Sequence, residues 1–118
     1  MNVQHAIMTF TQSEKVKSGI IWATSSVEHL QRFLSDDRQG AITALRTFVG
    51  MIIREVHLSK KYSSEETWLE VEKHVDMALV MIDSGVPQEA SFHLTRALTQ
   101  VTSISHRSMK ILKEQGLL

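Results

Sequence analysis

The residues in this chain whose types could do chemistry are its six histidines, a scatter of acids, and a run of hydroxyl residues towards the C-terminus. Glu70-x-x-x-His74 and Glu89-x-x-x-His93 each set a carboxylate and an imidazole one helical turn apart on one face. Such pairs suit metal ligation. A di-metal centre built in a helical bundle, however, takes Glu-x-x-His from two helices and a lone Glu from each of the other two, and no Glu-x-x-His occurs here. Height along the helices argues the same way. Measured from the turn between the last two helical patterns, Glu70 stands roughly 23 Å away and Glu89 about 5 Å. His29 and His93 fall at similar heights, but His29 points well away from its helix's apolar seam while His93 flanks its own. The expectation is therefore solvated or rim histidines, no metal and no cofactor, with a metal- or small-ligand-binding bundle as the third functional reading.

The hydroxyls Ser91, Thr95, Thr99, Thr102, Ser103, Ser105 and Ser108 crowd one stretch. None stands in a strand–turn–helix elbow, and the chain has no Gly-x-Ser-x-Gly and no phosphate-cradling glycine loop. They read as a solvated helix face, and no catalytic residue is expected. The absence of Cys removes disulfides, thiolate metal sites and cysteine nucleophiles together, and points to a reducing cytoplasm.

The elements that must carry these residues follow from apolar period. Val16, Ile20, Ala23, Val27, Leu30 and Leu34 recur at alternating steps of 4 and 3, as in a heptad seam. Thr11-Gln12-Ser13-Glu14 before them reads as a capping box. A second stripe, Ile42, Leu45, Val49, Ile52 and Val56, follows Ser35-Asp36-Asp37, which offers caps and acids to a positive helix end. Gly50 sits inside it, implying a close neighbour or a bend. Ser63-x-x-Glu66 resembles a further capping box before Trp68, Val71, Val75, Ala78 and Ile82. Asp83-Ser84-Gly85-Val86-Pro87 then stops one helix and starts another, which carries Ala90, Leu94, Ala97, Val101, Ile104, Ser108 and Ile111.

These patterns predict helices at about 12–34, 37–60, 64–84 and 87–115, forming one domain over residues 11–116. Short connections force consecutive helices to run antiparallel, so the fold class is all-α, an up-down four-helix bundle. For residues 1–10 the readings are that Val3, Ile7 and Phe10 extend the first helix backwards, or that the segment is partly disordered or packed on the bundle. They show no basic region followed by a long apolar run, so no secretory signal is read there. The longest apolar stretch, Ala41 to Val56, is interrupted by Arg46 and Arg54, and no membrane span is expected. An offset of 49 residues sets Leu30 on Leu79, Ser35 on Ser84, Ala41 on Ala90 and Leu45 on Leu94. That is the pattern of two duplicated αα-hairpins, or of any two helical hairpins of like length. The rhythm is loosely similar to tetratricopeptide hairpins, whose signature positions both units lack.

Thirteen Lys+Arg against thirteen Asp+Glu in 118 residues give no net charge, which argues against a protein held to nucleic acid by bulk charge. In an up-down bundle, Arg54, Lys60, Lys61, Arg107 and Lys110 nonetheless gather at one pole, and Asp36, Asp37, Asp83 and Glu89 at the other. Helix ends favour that distribution without any ligand; a nucleic-acid or anion-binding pole is the second functional reading. The apolar surplus carries the first. Trp22 and Phe33 lie roughly 100–120° off the seam of the first helix. Met51 and Leu58 lie further off the second, with Phe48 and Ala44 bridging towards it, and Phe92 faces away from the fourth. Large apolar residues gathered outside a core mark an interface. Trp22, Phe33, Phe48, Met51 and Phe92 are the interface candidates, in a non-catalytic bundle that works by protein–protein association, most simply as a homodimer.

Overall fold

The computed structural model describes residues 1–63 and 65–118, with Gln31 described by its backbone. Four α-helices make up the chain: α1 Val3–His29, α2 Ser35–Tyr62, α3 Thr67–Asp83 and α4 Ala90–Glu114. Single 3₁₀ turns, Leu30–Arg32 and Pro87–Glu89, follow α1 and precede α4. No strand occurs among the described residues. The helices close into a bundle in which α1 touches α2 and α4, and α3 touches the same two.

Cross-helix pairs fix the direction of each neighbour. Thr9 meets Ser63 and Gln12 meets Ser59, while Gly19 lies against Ile52. On the next seam Lys60 meets Glu72 and Arg46 meets Asp83. In each pair of helices, ascending numbers on one meet descending numbers on the other, so consecutive helices run antiparallel. The four seams of the heptad reading meet inside, with Val16, Ile20, Val49, Val56, Val71, Val75, Leu94 and Ile104 at 2% exposure or less. Leu34 is the exception, standing past the first helix at the N-cap of α2 and 76% exposed. Each such side chain contributes about 1.5–3 kcal/mol by leaving water.

The first helix starts earlier than its apolar period suggests. Asn2 caps it, its Oδ1 accepting the His5 N–H at 2.8 Å. Residues 3–10 are thus helix and not a separate segment, because Ala6, Thr9 and Ser13 carry the buried seam back towards the N-terminus. Thr11 lies inside the helix and donates to the Ile7 carbonyl, so it caps nothing. Glu14, the other half of the expected box, instead accepts from Ser105 on α4. The far end is also shorter than expected: after His29 the chain tightens into its 3₁₀ turn and Phe33 is already extended.

Between α2 and α3 the second expected capping box is likewise absent. Ser63 ends α2, its N–H bonded to the Ser59 carbonyl, and its hydroxyl turns inward to Thr9 at 3.0 Å. Ser64, the expected first residue of the third helix, lies outside the described residues. The turn after α3 is a Schellman motif. Gly85 takes φ +83°, Val86 N–H reaches the Met81 carbonyl, and Gly85 N–H reaches that of Ile82. Gly116 repeats the motif after α4 at φ +72°, with Leu117 N–H on the Leu112 carbonyl. The two αα-hairpins therefore turn differently. Leu30 follows the last residue of its helix whereas Leu79, its counterpart at the 49-residue offset, lies inside α3, so the offset that aligns the sequences does not align the turns.

Helix length shapes the rest. α3 has 17 residues against 27, 28 and 25 for the others. Since Asp83, the last residue of α3, pairs with Arg46, the start of α2 runs past the end of α3, and buried residues on α2 begin only at Leu45. At the other pole Trp68 is the largest fully buried side chain. Thr9, Ser13, Ser59, Ser63, Ser105 and Ser108 are buried at that same end, where small side chains leave room for an indole. Ser105 and Ser108 thus turn into the core and do not belong to a solvated face, while Thr95, Thr99, Thr102 and Ser103 are exposed.

Candidate interaction surface

The outer side of the α1–α2 pair carries the feature that stands out from the surface. Along α1, Lys15, Gly19, Trp22, Ser26, His29 and Phe33 follow one another at three- and four-residue spacing on the flank nearest α2. Along α2 the facing row is Ala41, Ala44, Phe48, Met51 and Glu55. Small residues interrupt the large ones, Gly19 and Ser26 in the first row and Ala41 and Ala44 in the second, and they leave space between the helices. Two hollows result. One, of about 440 Å³, is lined by Ser25, Ser26, His29, Leu30, Phe33, Ala41, Ala44, Leu45 and Phe48. The other, of about 170 Å³, is bounded by Lys15, Val16, Gly19, Trp22, Phe48, Met51, Ile52 and Glu55. Phe48 lines both, so they lie side by side along the helix pair, and together they are the trough.

Four of the five interface candidates meet here. Trp22 is 63% exposed, Phe33 46% and Met51 47%, and Phe48 is half-buried on the core. Phe92 is elsewhere. It sits on α4, 56% exposed, beneath the Arg96 guanidinium at 4.6 Å and edge-on to His93 at 5.3 Å. Arg96 and His93 both act electrostatically on His74 of α3, which places Phe92 with the α3–α4 side.

The trough owes its walls to a close approach that the sequence pattern did not single out. A Cβ on Gly19 would stand 3.2 Å from Cγ1 of Ile52, so glycine is what lets α1 and α2 touch at that level. Gly50, where the sequence implied a close neighbour or a bend, has nothing within 4 Å of the position a Cβ would take and serves no close approach. The spacing Gly19–Trp22–Ser26 is a readable signal of a knob flanked by holes once the partner helix is known.

Polar contacts across the α1–α2 seam lie at one end of it among the described residues. Gln12 donates to Ser59 Oγ at 2.9 Å and to the Glu55 carboxylate at 3.3 Å, and Lys15 pairs with Glu55 at 3.2 Å. Partial burial would push the Glu55 carboxyl up, but the bonds from Gln12 and Lys15, with Arg54 nearby, hold it below the ordinary value. At the other end, His29 Nδ1 lies 2.7 Å from the Ser25 carbonyl. That contact requires the proton on Nδ1, which leaves Nε2 of the neutral ring a bare acceptor at the wall of the larger hollow.

At the basic pole two of the five candidates, Arg107 and Lys60, are committed within the fold. Arg107 bonds Glu65 at 2.9 Å and Thr67 at 3.0 Å, and Lys60 takes both oxygens of Glu72 at 2.9 and 3.1 Å. Glu72 also receives His57 at 3.0 Å. Lys61 lies 5.8 Å from the Tyr62 ring, and Arg54 and Lys110 are exposed. Lys17 pairs with Glu14 at 2.6 Å, and that contact together with the Ser105 hydroxyl lowers the Glu14 pKa. Cations spent on neighbouring carboxylates do not make a strong anion site. For the histidine pairs, Glu70 and His74 stand 3.9 Å apart, and no grouping of three metal-ligating side chains occurs among the described residues. Exposed Thr99 and Ser103 donate to the carbonyls of Thr95 and Thr99 one turn back.

Comparison with protein-family models, curated proteins and solved structures finds no match. No helix among the described residues is long and apolar enough to cross a membrane.

Proposed function

We propose that this chain is a non-catalytic helical bundle acting through protein–protein association in a reducing cytoplasm, with the outer side of α1–α2 as its docking surface and self-association as the simplest use of it. The observation that carries this reading is the trough: Trp22, Phe33 and Met51, all exposed, border two neighbouring apolar hollows on one side of the molecule. A surface with protruding aromatics beside unfilled depressions buries more area against a partner than a convex helix pair can, and anchors of this kind dominate binding energies. A non-catalytic role is supported by two exposed hydroxyls of α4, Thr99 and Ser103, each donating to a carbonyl of its own helix.

Sedimentation equilibrium over a range of concentrations tests the reading. The chain should associate reversibly, and Trp22→Ala should weaken that association by about 30-fold or more, the loss of one hot-spot anchor. A protein that stays monomeric throughout, or whose association ignores Trp22→Ala, would overturn it.

A further inference from the structure

The trough is self-complementary. A protruding indole and a hollow able to hold one lie on the same side of the same helix pair, offset along its axis. Gly19 lies against Ile52. One heptad further on, Ser26 therefore stands level with Leu45, and both line the larger hollow. Trp22 and Leu30 lie equally far from Ser26, about 6 Å each way. A two-fold axis lying in the plane of the interface at the Ser26–Leu45 level, perpendicular to the helices, consequently turns the two faces towards each other and brings Trp22 of one copy over Leu30 of the other, into the larger hollow. Because the operation is its own inverse, the same contact forms twice and the interface closes on two copies.

Size and polarity fit. About 440 Å³ lies within the roughly 300–1,000 Å³ range that takes compact organic groups, so one indole enters with its ring between Phe33 and Phe48. The wall offers His29, whose Nδ1 is engaged by Ser25 and whose Nε2 is left to accept the indole N–H. A buried indole N–H usually finds such an acceptor, although that of Trp68 is buried without one.

Charge gives an independent check on the same axis. On α2, Asp36 and Arg54 lie equally far from Leu45, roughly 13 Å on either side. Two antiparallel α2 helices crossing at Leu45 thus set Asp36 of each copy against Arg54 of the other. Both residues are exposed, and among the described residues neither is in an ion pair. The nearby Glu55 is held by Lys15 and Gln12 and acts on Arg54 without forming an ion pair with it. Area is not limiting either. The face is one of four long sides of a molecule exposing 6926 Å², against about 800 Å² per partner in a standard interface.

Resting on the proposed docking surface, we infer that its occupant is a second copy of this chain in an isologous antiparallel pairing, with Trp22 seated in the partner's larger hollow and Asp36 facing the partner's Arg54. Complementary charge reversal tests it. Asp36→Arg and Arg54→Asp, each checked for unchanged helicity by circular dichroism, should each weaken self-association about tenfold or more, since each homodimer then carries two like-charge contacts. An equimolar mixture of the two variants should regain wild-type affinity, because both contacts are again opposite in sign. Iodide quenching gives a second readout. Trp68 is fully buried, so the quenchable emission belongs to Trp22 and should fall as the dimer forms. Association that needs Trp22 but is not rescued on mixing the variants would overturn this pairing while leaving the docking surface standing. A chain that does not self-associate at all would overturn both.

Discussion

The outer sides of α1–α2 and α3–α4 both expose large apolar residues, and the difference lies in what surrounds them. On the α3–α4 side Phe92 is covered by Arg96 and flanked by His93, and Arg107 ties the helices together through Glu65 and Thr67. On the α1–α2 side Trp22 stands beside Gly19 and Ser26, Phe48 beside Ala44, and the polar ties are confined to the Gln12–Glu55 end. Exposure of an aromatic is thus a poor marker by itself. The informative feature is an aromatic next to a gap left by small residues, because only there does a partner find both a knob and a hole.

Three measurements break or sharpen this contrast. The largest effect on folding is expected from paired truncations of the two phenylalanines. Phe48→Ala removes a ring packed against the core and should cost about 2–3 kcal/mol in urea unfolding, somewhat below the range for a fully buried Phe. Phe92→Ala should stay within about 0.5 kcal/mol. Equal costs would mean that the two sides are packed alike. Next come the glycines. Gly19→Ala must push Ile52 aside and should destabilise by about 1 kcal/mol or more. Gly50→Ala meets open space in a helix interior and should stabilise by up to about 1 kcal/mol. Opposite signs on thermal unfolding would confirm that only Gly19 sets the α1–α2 spacing.

The smallest effect concerns pH on the α3 side. Burial lowers the pKa of His74, with Glu70 only partly offsetting it. The unfolded chain therefore binds a proton at His74 more readily than the folded one. This histidine's contribution is fully present above its ordinary unfolded pKa and is lost as pH falls below it. Unfolding free energy should decline from about pH 7 to about 5, and His74→Gln should flatten that decline. An unchanged slope would show that the ring is solvated in the folded state.

Apolar period was enough to reveal four helices and most residues of their seams, because burial against neighbours imposes the 3–4 spacing directly; Leu34 continues the period but falls in the turn, where it is exposed. Helix ends were less legible. Thr11 and Ser63 have the residue types of caps, but tertiary contacts with α4 and between Thr9 and Ser63 decide where the ends fall. Ser105 looked like a surface residue, and Ser108 fitted both the seam and the hydroxyl-rich face, since a hydroxyl carries no mark of burial until the space claimed by Trp68 is known. At the candidate site the large residues Trp22, Phe33, Phe48 and Met51 were legible as off-seam positions. The small ones that make the hollows, Gly19, Ser25, Ser26 and Ala41, were not, because a gap is a property of two helices and a sequence shows one at a time.

The bundle measures 53 × 22 × 18 Å, more than twice as long as it is wide. A rod of these proportions tumbles and diffuses more slowly than a sphere of equal mass. On a gel-filtration column a single copy will elute early, towards the volume of a globular protein well above its 13.4 kDa. Elution volume alone would thus report a dimer whether or not one forms, and stoichiometry has to come from light scattering or sedimentation equilibrium, where mass is read independently of shape.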